Sequence, residues 1–336
     1  MTDAGPASEE LPDGTTAGAA REDGDAPALP DDPEAVERVR EALVAWYEAD
    51  HRSFPWRETE DPYEILVSEV MSQQTQLDRV VEAWHDFLDE WPTVETLAAA
   101  DRADVVGFWT DHSLGYNNRA KYLHEAARQV VEGEVEGVEA GAFPRTPERL
   151  QELMGVGPYT ANAVASFAFN QGDAVVDTNV KRVLHRAFAE IHNADDPDYE
   201  TVANALMPAG ESRIWNNAIM ELGGVACGKK PRCDEAGCPW REWCHAYQTG
   251  DFTAPDVPTQ PSFEGSRRQF RGRIIKLLGN YDEMTLDTLG HRIRVDYSPD
   301  GDHGRDWLRE LLSDLADDGL VEVEETKDET VARLQR

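Results

Sequence analysis

Lysine is nearly missing from this chain. Only six of its 32 basic residues are Lys, at 121, 181, 229, 230, 276 and 327, and those 32 face 66 acidic residues. Cysteine is as scarce, with four in 336 residues, all packed between 227 and 244. That excludes a disulfide framework of the secreted kind. No apolar run approaches the roughly eighteen residues of a membrane span, and the acidic N-terminus carries no apolar segment of the kind a secretory signal needs. A cytoplasmic protein with no membrane partner is the expectation. Alternation with period two is rare, which argues against a large sheet. What is present is a hydrophobic fraction of 40%, enough to build a sizeable core and to exclude wholesale disorder. The length suggests one large domain with a small one, or two of medium size.

A formal net charge of −34 by itself argues against nucleic acid as a partner. The acids, however, run along the whole chain instead of gathering in one tail. Together with the lysine deficit, that pattern resembles the cytosolic proteins of extreme halophiles, whose carboxylates hold water and cations in concentrated salt. An acidic partner-binding surface on an ordinary protein is the alternative. The charge therefore reports habitat before it reports partner.

Four parts are expected along the chain. Residues 1–33 are rich in Gly, Ala, Pro and acids and have too few large apolar side chains to offset their ordering entropy, so they are expected to be a disordered tail. Residues 34–250 form the main domain, all-α, with apolar residues three and four apart predicting helices over 36–47, 63–75, 80–89, 118–131, 161–169, 180–190 and 215–222. Residues 251–262 are Pro-rich and form a linker. Residues 263–336 predict helices over 271–278, 285–290 and 307–318, then strands over 320–324 and 330–334. Three helices followed by a strand pair suggest a small winged-helix-like α+β domain.

Three patterns carry chemistry. Cys227, Cys233, Cys238 and Cys244 follow C-x5-C-x4-C-x5-C, and four thiolates so close in sequence suit either a 4Fe-4S cluster or a structural zinc. The outer gaps of five exceed the usual short zinc knuckles, leaving room for something bulkier than one ion. Next, Leu153-Met154-Gly155-Val156-Gly157-Pro158-Tyr159 brackets a tight turn between two glycines ahead of a Pro-initiated helix. Backbone N–H groups of such a turn and helix N-terminus can hold a phosphate without reading sequence, as the hairpin of a helix-hairpin-helix does. Finally, two carboxylates stand out. Glu69 follows Asp61-Pro62-Tyr63-Glu64, an N-cap, a first-turn proline and a capping-box acid, and shares a helix face with Ile65, which desolvates it or leaves it on a solvated edge. Burial raises a carboxyl pKa and makes a general acid of it. Asp177 follows a short apolar run directly before a helix, where an N-cap is the simpler explanation.

Taken together, "FPWRETEDPYEILVSEVMSQQTQ", "LGYNNRAKYL", "LMGVGPYTANAV", "VVDTNVKRVL", "WNNAIMELGGVAC" and the cysteine cluster resemble the MutY-type A/G-specific adenine DNA glycosylases of the endonuclease-III-like, helix-hairpin-helix superfamily. The resemblance covers about residues 45–247. It implies two helical subdomains with a DNA groove between them and an iron–sulfur loop at 227–244. It also implies base-excision repair by a monofunctional glycosylase that hydrolyses the N-glycosidic bond of adenine paired with guanine or 8-oxoguanine in double-stranded DNA, and a monomer is expected. By the same resemblance Glu69 protonates N7 of the flipped adenine, Asp177 stabilises the oxocarbenium-like sugar, and Tyr159 and Asn179 assist the pair. Arg57 lies beside the adenine, and Gln73, Gln74 and Thr75 lie at the opposing base. Gly155, Val156 and Gly157 form the phosphate clamp, and the four Cys are the cluster ligands. Relatives with strong lyase activity carry a Schiff-base lysine where this chain has Tyr159, so water is the expected nucleophile.

The chain departs from the family's pattern in three places. The usual cysteine spacing is C-x6-C-x2-C-x5-C. Asn117 stands where a second aromatic is common, and Asn217 where an acidic residue often contacts the adenine. A glycosylase for another mismatch or an oxidised base, or a DNA-binding module without chemistry, are the competing classes; the second leaves Glu69 and Asp177 without a purpose. The C-terminal part is too short for a Nudix-like reader of 8-oxoguanine, and Arg267, Arg268, Arg271 and Arg273 at its start are expected on phosphate backbone.

Overall fold

The computed structural model describes residues 33–256, 262–326 and 329–336. The expected tail lies outside the described residues except for Pro33, which already opens a helix. Residues 257–261 of the expected linker lie outside them as well.

The first helix, α1 (Pro33–Ala49), buries Val36, Val39, Leu43 and Tyr47 along one stripe. Its main packing partners are helices far along the chain. A 3₁₀ turn at Pro55–Arg57 leads into α2 (Pro62–Ser72). There follow α3 (Leu77–Glu90), α4 (Val94–Ala98), α5 (Arg102–Asp111), α6 (Asn118–Glu132), α7 (Pro147–Leu150) and α8 (Pro158–Phe169). Helices α2 to α8 enclose one core, with Met71, Phe87, Trp109, Leu150 and Leu153 at its centre. The chain then forms α9 (Thr178–Ala187), α10 (Ala189–His192), α11 (Tyr199–Leu206), α12 (Ser212–Val225) and α13 (His245–Thr249). These join α1 around a second core containing Leu43, Leu184, Trp215 and Trp240. Contacts of α8 with both α2 and α12 tie the two helical subdomains together.

The C-terminal domain holds α14 (Arg267–Asn280), β1 (Met284–Thr285), α15 (Leu286–Ile293), α16 (Arg305–Asp317), β2 (Val321–Glu325) and β3 (Thr330–Leu334). Its strands form an antiparallel sheet in the order β1–β3–β2. The expected strand pair is thus a three-stranded sheet, because Met284 and Thr285 pair with Ala332 and Val331 before Thr285 caps α15. Helix α14 packs along α5, seating the domain on the first subdomain.

Local chemistry explains where expected helices stop or start. Asp61 accepts a hydrogen bond from the Tyr63 N–H (2.8 Å), so it caps α2 as expected. The capping box does not close, however, because the Asp61 N–H donates to Thr59 Oγ1 (3.0 Å) instead of to Glu64. Helix α2 ends at Ser72, three residues short of expectation, and Gln74 adopts a left-handed backbone at φ 60°. The helix expected over 180–190 breaks at Phe188, whose extended backbone caps α9 and starts α10. Among the described residues no helix is long and apolar enough to cross a membrane.

Candidate active site

The seam between the two subdomains collects most of the residues singled out in the sequence. Glu69 is on α2, one turn beyond the buried Ile65, and is itself half-buried among apolar neighbours. Burial first, and then the charge of Asp177, lifts its carboxyl to about 7. The two carboxylates, distant in sequence, therefore share one electrostatic environment. Tyr159, in the first turn of α8, completes the group. Burial and the charges of Glu69 and Asp177 raise its phenol well above the ordinary range, so it remains a neutral O–H donor.

Asp177 is an N-cap and more. Its Oδ1 accepts from the backbone N–H groups of Asn179 (2.8 Å) and Val180 (2.7 Å), and its Oδ2 accepts from Asn179 Nδ2 (2.7 Å). Three donors hold the carboxylate in one orientation at the N-terminus of α9, where the helix dipole also favours negative charge. Asn179 is held in turn, its Oδ1 accepting from Arg182 Nη2 (2.9 Å). Arg182 also donates to the Gly223 carbonyl (2.9 Å) and, through Nε, to the Cys227 carbonyl (2.7 Å). A continuous polar chain therefore runs from the cysteine loop to the Asp177 carboxylate.

The Gly223-Gly224 pair of α12 makes this arrangement possible. A Cβ at Gly223 would lie 2.9 Å from the Asn179 Cβ, and one at Gly224 would collide with the Arg52 guanidinium. Arg52 needs that space to bind Glu221, which is only 1% exposed. Glu221 accepts from Arg52 Nε (2.8 Å) and Nη2 (3.0 Å) and from Arg57 Nη2 (2.9 Å). Burial pushes its carboxyl up, but the two arginines outweigh that and hold it below the ordinary value. Arg57 is thus fixed against Glu221, with its guanidinium over the Phe54 ring at 4.9 Å.

Glu221 is the residue that sequence inspection missed. The acidic position expected at Asn217 is one turn further along α12, while Asn217 merely donates to the Arg213 carbonyl (3.0 Å). A lone Glu in the apolar run "AIMELGG" was the available signal.

The 73–75 turn faces a second loop. Thr75 Oγ1 donates to the Leu114 carbonyl (3.3 Å), and Gln73 Nε2 to Thr160 Oγ1 (3.4 Å). Gln74 is exposed at the tip. Asn117 turns inward, donating to Thr110 Oγ1 (3.1 Å).

The expected phosphate hairpin forms between α7 and α8. Gly155 has φ 75°, and a Cβ there would lie 2.6 Å from the Tyr122 Cβ, so both conformation and space require glycine. Gly157 caps α8 ahead of Pro158, and both glycines are exposed. Val156 is buried, so its side chain anchors the hairpin and only its backbone can face a ligand. N–H groups in the first turn of a helix have no intrahelical acceptor, which suits this turn to an anion.

All four cysteines are free. Burial raises the thiols of Cys227 and Cys244, the latter to about 11. Arg186 Nη1 approaches Cys227 Sγ (3.6 Å), while the Cys244 thiol meets the Arg186 carbonyl (3.2 Å). Four free cysteines on one eighteen-residue loop, with the Arg186 guanidinium beside Cys227, are a donor set whose chemistry fits a thiolate-bound metal group. Among the described residues no group of three or more His, Cys, Asp or Glu side chains is placed to hold a metal ion.

Comparison with known proteins agrees with this geometry. Residues 67–209 match the family model described as "HhH-GPD superfamily base excision DNA repair protein". The chain is 40% identical over 247 residues to an adenine DNA glycosylase of Mycobacterium tuberculosis, covering 70% of this chain and 77% of that one. It is 37% identical over 291 residues to an adenine DNA glycosylase of Mycolicibacterium smegmatis, covering 83% and 91%. A solved structure of a thermostable thymine-DNA glycosylase superposes with a TM-score of 0.56 at 28% identity, covering 64% of this chain and 97% of that one. The chain belongs to the helix-hairpin-helix base-excision repair superfamily and, within it, to the adenine DNA glycosylases.

Proposed function

We propose that this chain hydrolyses the N-glycosidic bond of adenine mispaired with guanine or 8-oxoguanine in double-stranded DNA. The observation that carries this is the pairing of Glu69, lifted to about 7, with Asp177, held by three donors. At neutral pH Glu69 keeps a proton for N7 of a flipped adenine. As the C1′–N9 bond breaks, its electrons pass to the protonated base and positive charge develops on the sugar. Asp177 stabilises that charge while water adds to C1′ and gives its proton to the carboxylate left on Glu69, leaving free adenine and an abasic site.

Tyr159 and Asn179 orient this pair. Tyr159 offers no amine for a Schiff base, which supports hydrolysis over lyase chemistry. Arg57 and Glu221 supply fixed polar groups for an extruded base, Gln73, Gln74 and Thr75 meet the base left behind, and Gly155, Val156 and Gly157 clamp a phosphate.

Cys227, Cys233, Cys238 and Cys244 would hold a 4Fe-4S cluster, which supplies a structural anchor and needs no part in bond cleavage. Their wide spacing supports that group over a single zinc. The spread acids support a monomeric, cytoplasmic protein of a salt-loving cell. Purified protein given duplexes with A:G, A:C, A:8-oxoguanine and T:G pairs should release adenine, and no thymine. Release of thymine from T:G, or no release at all, contradicts this reading.

A further inference from the structure

Four arginines open the C-terminal domain, and the structure sends them in different directions. Arg267 pairs with Asp314 (2.5 Å) and Glu310 (3.5 Å) of α16, Arg271 pairs with Asp318, and Arg273 donates to the Ile293 carbonyl (2.9 Å). These three brace their own domain, which corrects the expectation that the whole cluster lies on phosphate. Asp306, Glu310 and Asp317 are exposed along α16, a poor surface for DNA.

Arg268 crosses to the other domain. Its Nη1 donates to the Tyr116 hydroxyl (2.5 Å), and its guanidinium lies 5.5 Å from the Tyr116 ring centroid. Tyr116 is 40% exposed and sits in a loop where Ser113, Gly115 and Tyr116 all have positive φ. For a tyrosine that backbone is strained, so the surroundings must hold it. Arg119 lies over the same ring at 4.5 Å and donates to the Gln73 carbonyl. Arg79 donates to the Ser113 carbonyl (3.3 Å), Trp109 Nε1 to the Gly115 carbonyl (2.7 Å), and Thr75 to the Leu114 carbonyl. The exposed ring is thereby tied through Arg119 to the 73–75 turn.

We propose that Arg268 is a positioning residue for the base opposite the excised one: it locks the Tyr116 ring as a flat platform on which that base stacks. This rests on the glycosylase reading above. A base that has lost its partner is no longer held in plane by pairing hydrogen bonds and parts more easily from its stacked neighbour to admit a ring, and a ring ordered before binding loses less entropy on meeting it. The effect should appear only when a base is orphaned, whereas a phosphate contact would add affinity to any duplex.

The test uses full-length protein carrying Glu69→Gln, so that binding is read without base release. Affinities are measured by fluorescence anisotropy on an A:8-oxoguanine duplex and on the same duplex fully paired as A:T. Adding Arg268→Ala should weaken mispair binding roughly tenfold, the scale of one base–aromatic stack, and leave paired binding within about twofold. On a Tyr116→Ala background, Arg268→Ala should then change nothing further. Lys276→Ala, which removes a contact to Asp111 on the same α14–α5 seam, should leave mispair affinity intact. Equal loss on both duplexes would assign Arg268 to phosphate, and no loss on either would reduce it to domain docking; each overturns the proposal. So does an undiminished effect on the Tyr116→Ala background, or an equal loss from Lys276→Ala. A chain that prefers mispairs but releases no adenine would sink the glycosylase reading alone, while a parent that binds both duplexes equally would sink both.

Discussion

Glu69 must carry a proton before it can give one away, and its surroundings hold the carboxyl at about 7. Replacement by Gln removes the proton donor but keeps the shape, and Asp177→Asn removes the charge that meets the sugar. Each should lower single-turnover adenine release by about 10²-fold or more with mispair binding retained; a loss below roughly tenfold in either would contradict the assigned roles. Glu69 also makes a stability statement. Its folded value lies above the ordinary 4.5, so the folded state holds more proton between 4.5 and about 7. Stability therefore falls as pH rises through that window. Glu69→Gln should melt higher than the parent at pH 8, with the difference shrinking as pH drops below 7, measured by thermal denaturation. An equal melting temperature across that range would show that the carboxyl is not desolvated. Both carboxylates were legible in sequence because helix spacing places Glu69 beside Ile65 and the apolar run places Asp177 at a helix start. Their proximity followed only from the family resemblance, since no local pattern reports a contact between α2 and α9. Glu221 escaped for a related reason: its two arginine partners come from the segment before α2.

At the scale of elements, the site depends on how closely α9 and α12 approach. Gly223 permits that approach, and a methyl group there would press on Asn179. Gly223→Ala should therefore cost activity through the orientation of Asp177, with folding largely kept, since a methyl clash of this size is typically ~1–3 kcal/mol. Circular dichroism with a single-turnover assay checks this, and full activity would contradict the packing account. Long amphipathic helices such as α1 and α6 were visible in the sequence from their apolar spacing. Helices α4, α5 and α11 were not, because they are short or carry no extended apolar stripe, and tertiary packing holds them. The end of α2 was misplaced for a physical reason: Gln73, Gln74 and Thr75 suit a helix locally, yet contacts to Leu114 and Thr160 pull them into a turn.

At the scale of the molecule, a charge of −34 sets the solvent this protein needs. Ordinary DNA binders lose affinity steeply as salt rises. Here self-repulsion among the carboxylates is relieved by salt, so folding and adenine release should persist in molar KCl and fail in dilute buffer. Full structure and activity at low ionic strength, followed by circular dichroism, would remove the salt-adapted explanation. The cysteine loop gives a second whole-protein outcome. Anaerobically purified protein should be brown and contain about four irons per chain, whereas one zinc in a colourless protein would overturn the cluster assignment. Sequence alone could not place the C-terminal domain: the Pro-rich stretch marks its boundary, but no local pattern reports that α14 docks on α5.

The central claim is that Glu69 acts as the acid while Asp177 holds the opposing charge. The pH dependence of single-turnover adenine release from an A:8-oxoguanine duplex tests it most directly. Release should be level or nearly so just below pH 7 and fall tenfold per unit well above it, as the Glu69 proton is lost. A rate unchanged from pH 6 to pH 9 would contradict the account.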